Sequence, residues 1–462
     1  MSDAKRRKLP DGAAVGIAAA DEDAGSHDLY LDTINRHMLD FDFEKVCSVS
    51  LSNLNVYACL VCGKYYQGRG KNTHAYFHSI NDDHHVFINL HTLKVYCLPD
   101  GYEVSDTSLD DIKYVICPTY TQQQVAQLDK ETRVAHDLNN KKYLPGFVGL
   151  NNIKANDYVN VIIQALVHVP PIRDYLLLEP LENRSPLVQQ LSMLARKMWS
   201  GRAFKGQVSP HELLQAISSA SEKRFRLGQA ADPIDLFSWL INRLHLDLGG
   251  TRKKQTIISK TFQGEVQVVS RRTTAPKEAV DDDRVVVDPN ADTKTQRSPF
   301  FFLSLDLPSM PLFLDELEKN IIPQVPLTTL LQKYNGVTEQ EVKGYAKCYL
   351  ISRLPDYIVL HVRRFARNNW TAEKNHTVVN YPISNVDFSE YIEKPDTLGT
   401  HYDLLANISH DGSVEAGRYK VHVRRRGTGQ WYQIEDLTVE EIQPQMIFLS
   451  ESYVQIWERR RS

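Results

Sequence analysis

A chain of 462 residues, 42% of them hydrophobic and 24% charged, carries enough apolar side chains for two or three packed domains. A formal net charge of -3 excludes an overall basic field, so any contact with nucleic acid must rest on local patches. No apolar run approaches the ~20 residues that span a bilayer, the N-terminus lacks the apolar core of a secretory signal, and six cysteines over this length point to reduced thiols or metal ligands instead of a disulfide scaffold.

Residues 1–28 are rich in Ala, Asp, Gly and Ser and read as a disordered tail. Within it, Lys5-Arg6-Arg7-Lys8 reads either as a nuclear-localisation signal or as a solvated charge cluster. A compact segment over about 29–120 follows and holds Cys47, Cys59, Cys62, Cys97 and Cys117. Cys59-x2-Cys62 presents two thiolates from one tight turn, and His78 and His84 complete a Cys-x2-Cys…His-x5-His order. Two Cys and two His at such spacing close a tetrahedral zinc shell. Cys47, Cys97 and Cys117 read as small buried hydrophobes, and His85 and His91 as structural or exposed. Thr121–Asn140 then reads as a polar helix with Val125, Leu128 and Val134 as its apolar positions, and 121–143 links the two domains.

The stretch CLVCGKYYQGRGKNTHAYFHSINDDHHVFINL resembles the zinc finger of ubiquitin-protease type, which carries Cys-x2-Cys, a Gly-Arg turn, His-x3-His and a further His. Its counterparts here are Cys59, Cys62, Gly68-Arg69, His74, His78 and His84. The resemblance implies one zinc ion on Cys59, Cys62, His78 and His84. A second site would fall on Cys47, Ser50, Gln67 and His74, which lack two good ligands. Fingers of this type can hold the free C-terminal Gly-Gly of ubiquitin, and Arg69 and Tyr96 stand where the pocket has its Arg and its aromatic wall.

The second domain is expected over 144–458. From Asn156 the pattern turns helical, with Asn156 or Asp157 as N-cap and Tyr158, Ile162, Ala165 and Leu166 as an apolar stripe. Further helices are predicted at Pro186–Trp199, Pro210–Ala220 and Pro233–Leu246, the last two opened by Ser209-Pro210 and Asp232-Pro233. Thr256–Val269 alternates as a strand pair would. The charged stretch 271–298, with Asp281-Asp282-Asp283, reads as a flexible insertion. Strands are predicted at Phe300–Pro308, Leu354–Phe365, Tyr402–Ile408, Tyr419–Val423, Gln445–Leu449 and Tyr453–Trp457, with His361 as a packed strand residue.

Gly149 to Leu166, GLNNIKANDYVNVIIQAL, resembles the nucleophile box of ubiquitin-specific proteases, in which Gly-Leu-x-Asn leads to Gly-Asn-Thr-Cys-Tyr and a helix. Gly149, Leu150, Asn152, Tyr158, Asn160, Gln164 and Leu166 match. Asp157 stands in the Cys position, and Lys154, Ala155 and Asn156 replace Gly-Asn-Thr. The family's His box ends in Gly-His-Tyr; here Gly417-Arg418-Tyr419 puts Arg418 in the His position, while Asp436 matches the orienting acid. The resemblance therefore implies an α+β chain: a small α/β zinc finger, then a papain-like fold of helical thumb, β palm and fingers, without nucleophile or base. Arg418 is expected to pair with Asp157 or Asp436, or both groups to be solvated. The fingers carry no Cys-x2-Cys pairs, so no zinc is expected there.

With NNIKANDY at its centre, the chain is similar to the spliceosomal, catalytically degenerate branch of that family. This implies a nuclear scaffold acting on tri-snRNP proteins, and on tri-snRNP RNA, in pre-mRNA splicing. A ubiquitin or ubiquitin-like receptor, or an active deubiquitinase, stays open beside it. The runs Arg252-Lys253-Lys254, Arg363-Arg364 and Arg424-Arg425-Arg426 are read as solvated faces, with RNA or acidic protein surfaces as the other reading.

Overall fold

The computed structural model describes residues 30–130, 133–180, 182–273, 292–309, 322–367, 372–394 and 398–460. The N-terminal tail with its basic run, and most of the expected insertion, lie outside the described residues. The chain divides into two compact units, Met1–Leu39 with Val46–Ser105, and Asp40–Lys45 with Asp106–Ser462.

In the first unit five antiparallel strands lie in the order Tyr65–Gln67, Val56–Cys59, Val86–Asn89, Val95–Cys97 and Glu103–Val104. The single α-helix described there, His74–Asn81, packs by Ala75 on a small core of Tyr57, Tyr66, Phe87 and Leu98. The Cys59–Cys62 knuckle is closed by the Gly63 N–H donating to Cys59 O at 2.9 Å and the Cys59 N–H donating to Lys64 O at 2.9 Å.

The second unit is built around the helix Asp157–Val167, which is buried at every position from Tyr158 to Val167. The sequence suggests one apolar stripe, but a helix apolar on all sides belongs inside a domain. Pro170–Leu178, Pro186–Met198, His211–Ala220 and Pro233–Asp247 surround it as further helices of the same core. A sheet whose main path runs Leu303–Asp306, Tyr357–Arg363, Ser452–Arg459, His401–Asp411, Arg418–Arg424, Trp431–Glu435, Thr438–Ile442 lies against them. The first pair is parallel and the others are antiparallel.

Local chemistry overrides four of the sequence expectations. Thr121 and Gln124 form a capping box, but the helix ends at Gln127, and Ala135–His136 pairs with Lys142–Tyr143 instead. Asp137 Oδ1 accepts the N–H groups of Asn139 and Lys141, both at 2.9 Å, and such an Asx turn competes with helix. The strand pair expected over Thr256–Val269 is half helix: Thr256 and Ser259 cap Ile257–Phe262, and the strand is Gly264–Arg272. That strand pairs with Lys294–Phe300, so the insertion expected at 271–298 is narrower at both ends. Pro444 opens a helix over Pro444–Phe448 where a strand is predicted. The helix Asp110–Ile116, expected with the finger, belongs to the second unit.

Arg364, read from sequence as part of a solvated basic pair, is 1% exposed. It donates to three backbone carbonyls, Ser452 O at 2.6 Å, Asn375 O at 2.9 Å and Thr377 O at 2.8 Å. His361 does pack as a strand residue, edge-on to Tyr453 at 5.0 Å, and burial pushes its pKa down to about 4. Because removal of the guanidinium strands buried acceptors, Arg364→Leu is expected to cost about 3 kcal/mol in urea unfolding, against about 0.5 kcal/mol for Arg363→Leu on the exposed side.

Candidate metal centre and candidate cleft

The knuckle, the helix His74–Asn81 and the loop before Val86 bring Cys59, Cys62, His78 and His84 together, with their donor atoms all within 4.8 Å of one another. Cys62 Sγ lies 3.4 Å from His78 Nε2, Cys59 Sγ 3.6 Å from His84 Nδ1, and the two ring nitrogens 3.0 Å apart. Tetrahedral zinc has S···N edges of about 3.5 Å and N···N edges of about 3.3 Å, so this donor set fits that ion. His78 Nδ1 is 2.7 Å from Asp82 Oδ2, which fixes the proton there and turns Nε2 to the cluster. Tyr66 stacks on the other face of the ring at 4.3 Å. The Cys62 thiol is held down at about 4, chiefly by the hydrogen bond from Cys59, whose own thiol is pushed up; His84 and His78 add to the effect on Cys62. Asp82 is the functional residue that spacing alone does not reveal, since its role depends on an i,i+4 contact with a ligand.

The neighbouring Cys47, Ser50, Gln67 and His74 make no such cluster. Ser50 Oγ donates to Gln67 Oε1 at 2.8 Å, and the N–H groups of Val49 and Ser50 point at Cys47 Sγ. Arg69 and Tyr96 are brought together, with the guanidinium 4.0 Å from the ring centroid and donating to Gly101 O at 3.2 Å.

In the second unit, Gly149–Leu150 runs beside the turn at Asp436–Leu437. The Leu150 N–H donates to Asp436 O at 2.8 Å, and a Cβ on Gly149 would lie 2.6 Å from Leu437 Cα, so only glycine allows this approach. Asp436, in a left-handed conformation at φ +48°, accepts Asn152 Nδ2 at 2.8 Å and Asn160 Nδ2 at 2.9 Å. Asn160 in turn accepts Asn156 Nδ2 at 3.1 Å, and Asn156 Oδ1 takes the Ile153 N–H. Asn156 is the N-cap, but its side chain caps no helix N–H; it ties the preceding loop to the Asn160 side chain. Lys154 and Ala155, at φ +56° and +32°, occupy left-handed backbone just ahead of it.

Asp157 opens the helix and its Oδ2 accepts the Tyr419 N–H at 3.1 Å. The expected pairing with Arg418 is absent among the described residues. Successive side chains of a strand face opposite ways, so Arg418 turns outward, 77% exposed, with its Nη1 3.6 Å from Glu435 Oε1. Asp157 and Asp436 therefore hold backbone and amide donors instead of the guanidinium. Burial raises the Asp157 carboxyl above its ordinary value, with the Asp436 charge adding to it, against the Tyr419 hydrogen bond. Its contribution to stability is complete below the ordinary 3.8 and is lost as pH rises. Asp157→Asn is accordingly expected to raise the melting temperature at pH 7 and to change it little at pH 3.5; a lower melting temperature at pH 7 contradicts this.

Comparison with known proteins agrees with this arrangement. Residues 148–457 match the family "Ubiquitin carboxyl-terminal hydrolase", and residues 47–109 match "Zn-finger in ubiquitin-hydrolases and other protein". The chain is 49% identical to "Ubiquitin carboxyl-terminal hydrolase 39" of Homo sapiens, over 96% of this chain and 82% of that protein. It is 46% identical to "Probable mRNA-splicing protein ubp10" of Schizosaccharomyces pombe, over 94% of this chain and 89% of that protein. A solved structure described as "Crystal structure of an essential yeast splicing factor" superposes with a TM-score of 0.77 at 29% identity, covering 94% of this chain and 100% of the other. By the match over residues 148–457, the chain belongs to the ubiquitin carboxyl-terminal hydrolase family.

Proposed function

We propose that this protein is a catalytically silent member of its family that acts in the nucleus, in pre-mRNA splicing, as a scaffold for assembly or stability of the spliceosomal tri-snRNP. The observation that carries the silent half is the entrance to the central helix. Asp157 stands there, with one carboxylate oxygen engaged by the Tyr419 N–H, and Arg418 faces Glu435. Isopeptide hydrolysis by this family's route needs a thiolate and a proton acceptor. A carboxylate attacking an isopeptide would have to pass through an anhydride, and a guanidinium has no accepting lone pair. Nucleophile and base act as a unit, so their joint replacement removes the activity. The splicing half is supported by the likeness to the fission-yeast mRNA-splicing protein and to the yeast splicing-factor structure.

The expected outcome with a ubiquitin C-terminal reporter is no turnover by the purified chain, measured beside an Asp157→Cys, Arg418→His double variant. Turnover by the wild type overturns the reading. Capture of the tagged chain from nuclear extract is expected to recover tri-snRNP proteins and RNAs together.

One zinc ion on Cys59, Cys62, His78 and His84 completes the finger in this reading, holding knuckle, helix and loop in one shell. Elemental analysis is expected to give one zinc per chain, and none in Cys62→Ser. Binding requires thiolates and neutral imidazoles, so zinc is expected to be released as pH falls towards 5. A second zinc in the wild type would assign ligands to Cys47 and His74.

A receptor for ubiquitin is the second reading, favoured by the Arg69–Tyr96 stack. Micromolar binding of labelled ubiquitin to the full chain, lost in Arg69→Ala, would move the assignment there.

A further inference from the structure

A cavity of about 380 Å³ lies within the second unit, away from the helix entrance that carries Asp157. Its wall holds six arginines and a single carboxylate, Asp129. That carboxylate is already neutralised: Arg173 grips both its oxygens, at 2.6 and 3.1 Å, and Arg426 lies 3.8 Å away. The turn that delivers Arg425 and Arg426 is pressed against the same segment, since a Cβ on Gly427 would lie 2.5 Å from Asp129 O. Arg133 and Arg202 are exposed and have no carboxylate partner among the described residues; Arg202 lies 5.4 Å from the Tyr114 ring centroid. Arg173 also meets Asp174 at 2.8 Å, Arg424 lies 3.7 Å from both Asp403 and Glu458, and Arg426 lies 3.0 Å from Glu458, so Arg133 and Arg202 carry the positive charge that the cavity offers to a ligand.

The remaining wall is aromatic: Tyr114, Tyr120, Phe147 and Trp199. Among them sits His168, 4% exposed, whose Nδ1–H donates to Gln164 O at 2.6 Å. A phosphate alone would use the arginines and leave the rings unmatched. A nucleotide supplies both, its base a flat π-face for the rings and its phosphate the anion. The volume is at the lower end for a small-ligand site and suits one such unit, not a duplex.

We propose that this cavity binds one nucleotide, either free or as an unpaired residue of an RNA strand. Its phosphate is held by Arg133 and Arg202, and its base lies against Tyr114 and Tyr120. The site is separate from the cleft and does not depend on the splicing assignment.

The test uses the purified full chain, a fluorescein-labelled single-stranded RNA octamer, adenosine 5′-monophosphate, and a phosphotyrosine peptide as the competing class. Saturable binding of the octamer or the mononucleotide is expected. Arg133→Gln combined with Arg202→Gln is expected to weaken it at least tenfold and to reduce the slope of log affinity against log salt by about 0.7, the contribution of one phosphate of a single strand. Both side chains are exposed, so the melting temperature should stay unchanged; Tyr114→Leu is expected to weaken binding without changing the salt slope. Displacement of the octamer by the mononucleotide identifies a free-nucleotide site, and octamer binding without displacement identifies a strand site. Equal affinity in the double variant overturns the proposal. So does binding of the phosphopeptide with neither nucleic-acid probe, or of none of the probes.

Discussion

The second unit depends on one polar clamp. The Asp436 carboxylate takes an amide from the loop, Asn152, and an amide from the helix, Asn160, while its carbonyl takes the Leu150 N–H. A single turn between the strands Trp431–Glu435 and Thr438–Ile442 thereby fixes where the most buried helix of the domain begins. In a low-dielectric interior such a network has to be complete, because each unmatched donor or acceptor costs about 1–3 kcal/mol. Here Asn156, Asn160 and Asp436 share their groups so that loop, helix and sheet are tied at one point. The apolar packing of the helix then follows from its all-round hydrophobic sequence.

This clamp explains how a protease-like architecture stands without protease chemistry. In the resemblance, Asp436 belongs to the residue that would orient a catalytic imidazole. Here Arg418 is directed to Glu435, and the Asp436 carboxylate takes two structural amides. Asp157 has a comparable place: its oxygen ties the start of the helix to the strand Arg418–Arg424 through a backbone N–H. Both acids hold secondary-structure elements together. The finger joins its elements through softer donors in the same way, with Cys59, Cys62, His78 and His84 bringing knuckle, helix and loop to one point.

Much of this was legible in the sequence, and the gaps have physical causes. The meeting of Cys59, Cys62, His78 and His84 was readable because metal geometry demands local spacing, and Cys59-x2-Cys62 with the two histidines meets it. The closeness of Asp157 to the strand that opens at Arg418 was readable because the residues around both resemble the family's boxes. The direction of the Arg418 side chain was not, since it is set by the pleat of a strand whose partner is distant in sequence. Arg364 looked like surface charge because nothing local reveals that three carbonyls wait beneath it. Ile257–Phe262 and Pro444–Phe448 were missed as helices because they are five or six residues long, too short for periodicity to register, and their caps decide them.

The loop ahead of Asp157 carries a further implication. Lys154 and Ala155 adopt left-handed backbone without being glycine, at a cost of about 1 kcal/mol each. Side chains that disfavour the bend sit there all the same, held by the asparagine ties on either side. The route taken by the main chain at this corner is thus a demand of the domain's architecture and not of bond cleavage. A thiol at 157 and an imidazole at 418 would furnish reactive groups, but they would inherit a corner shaped to anchor a helix.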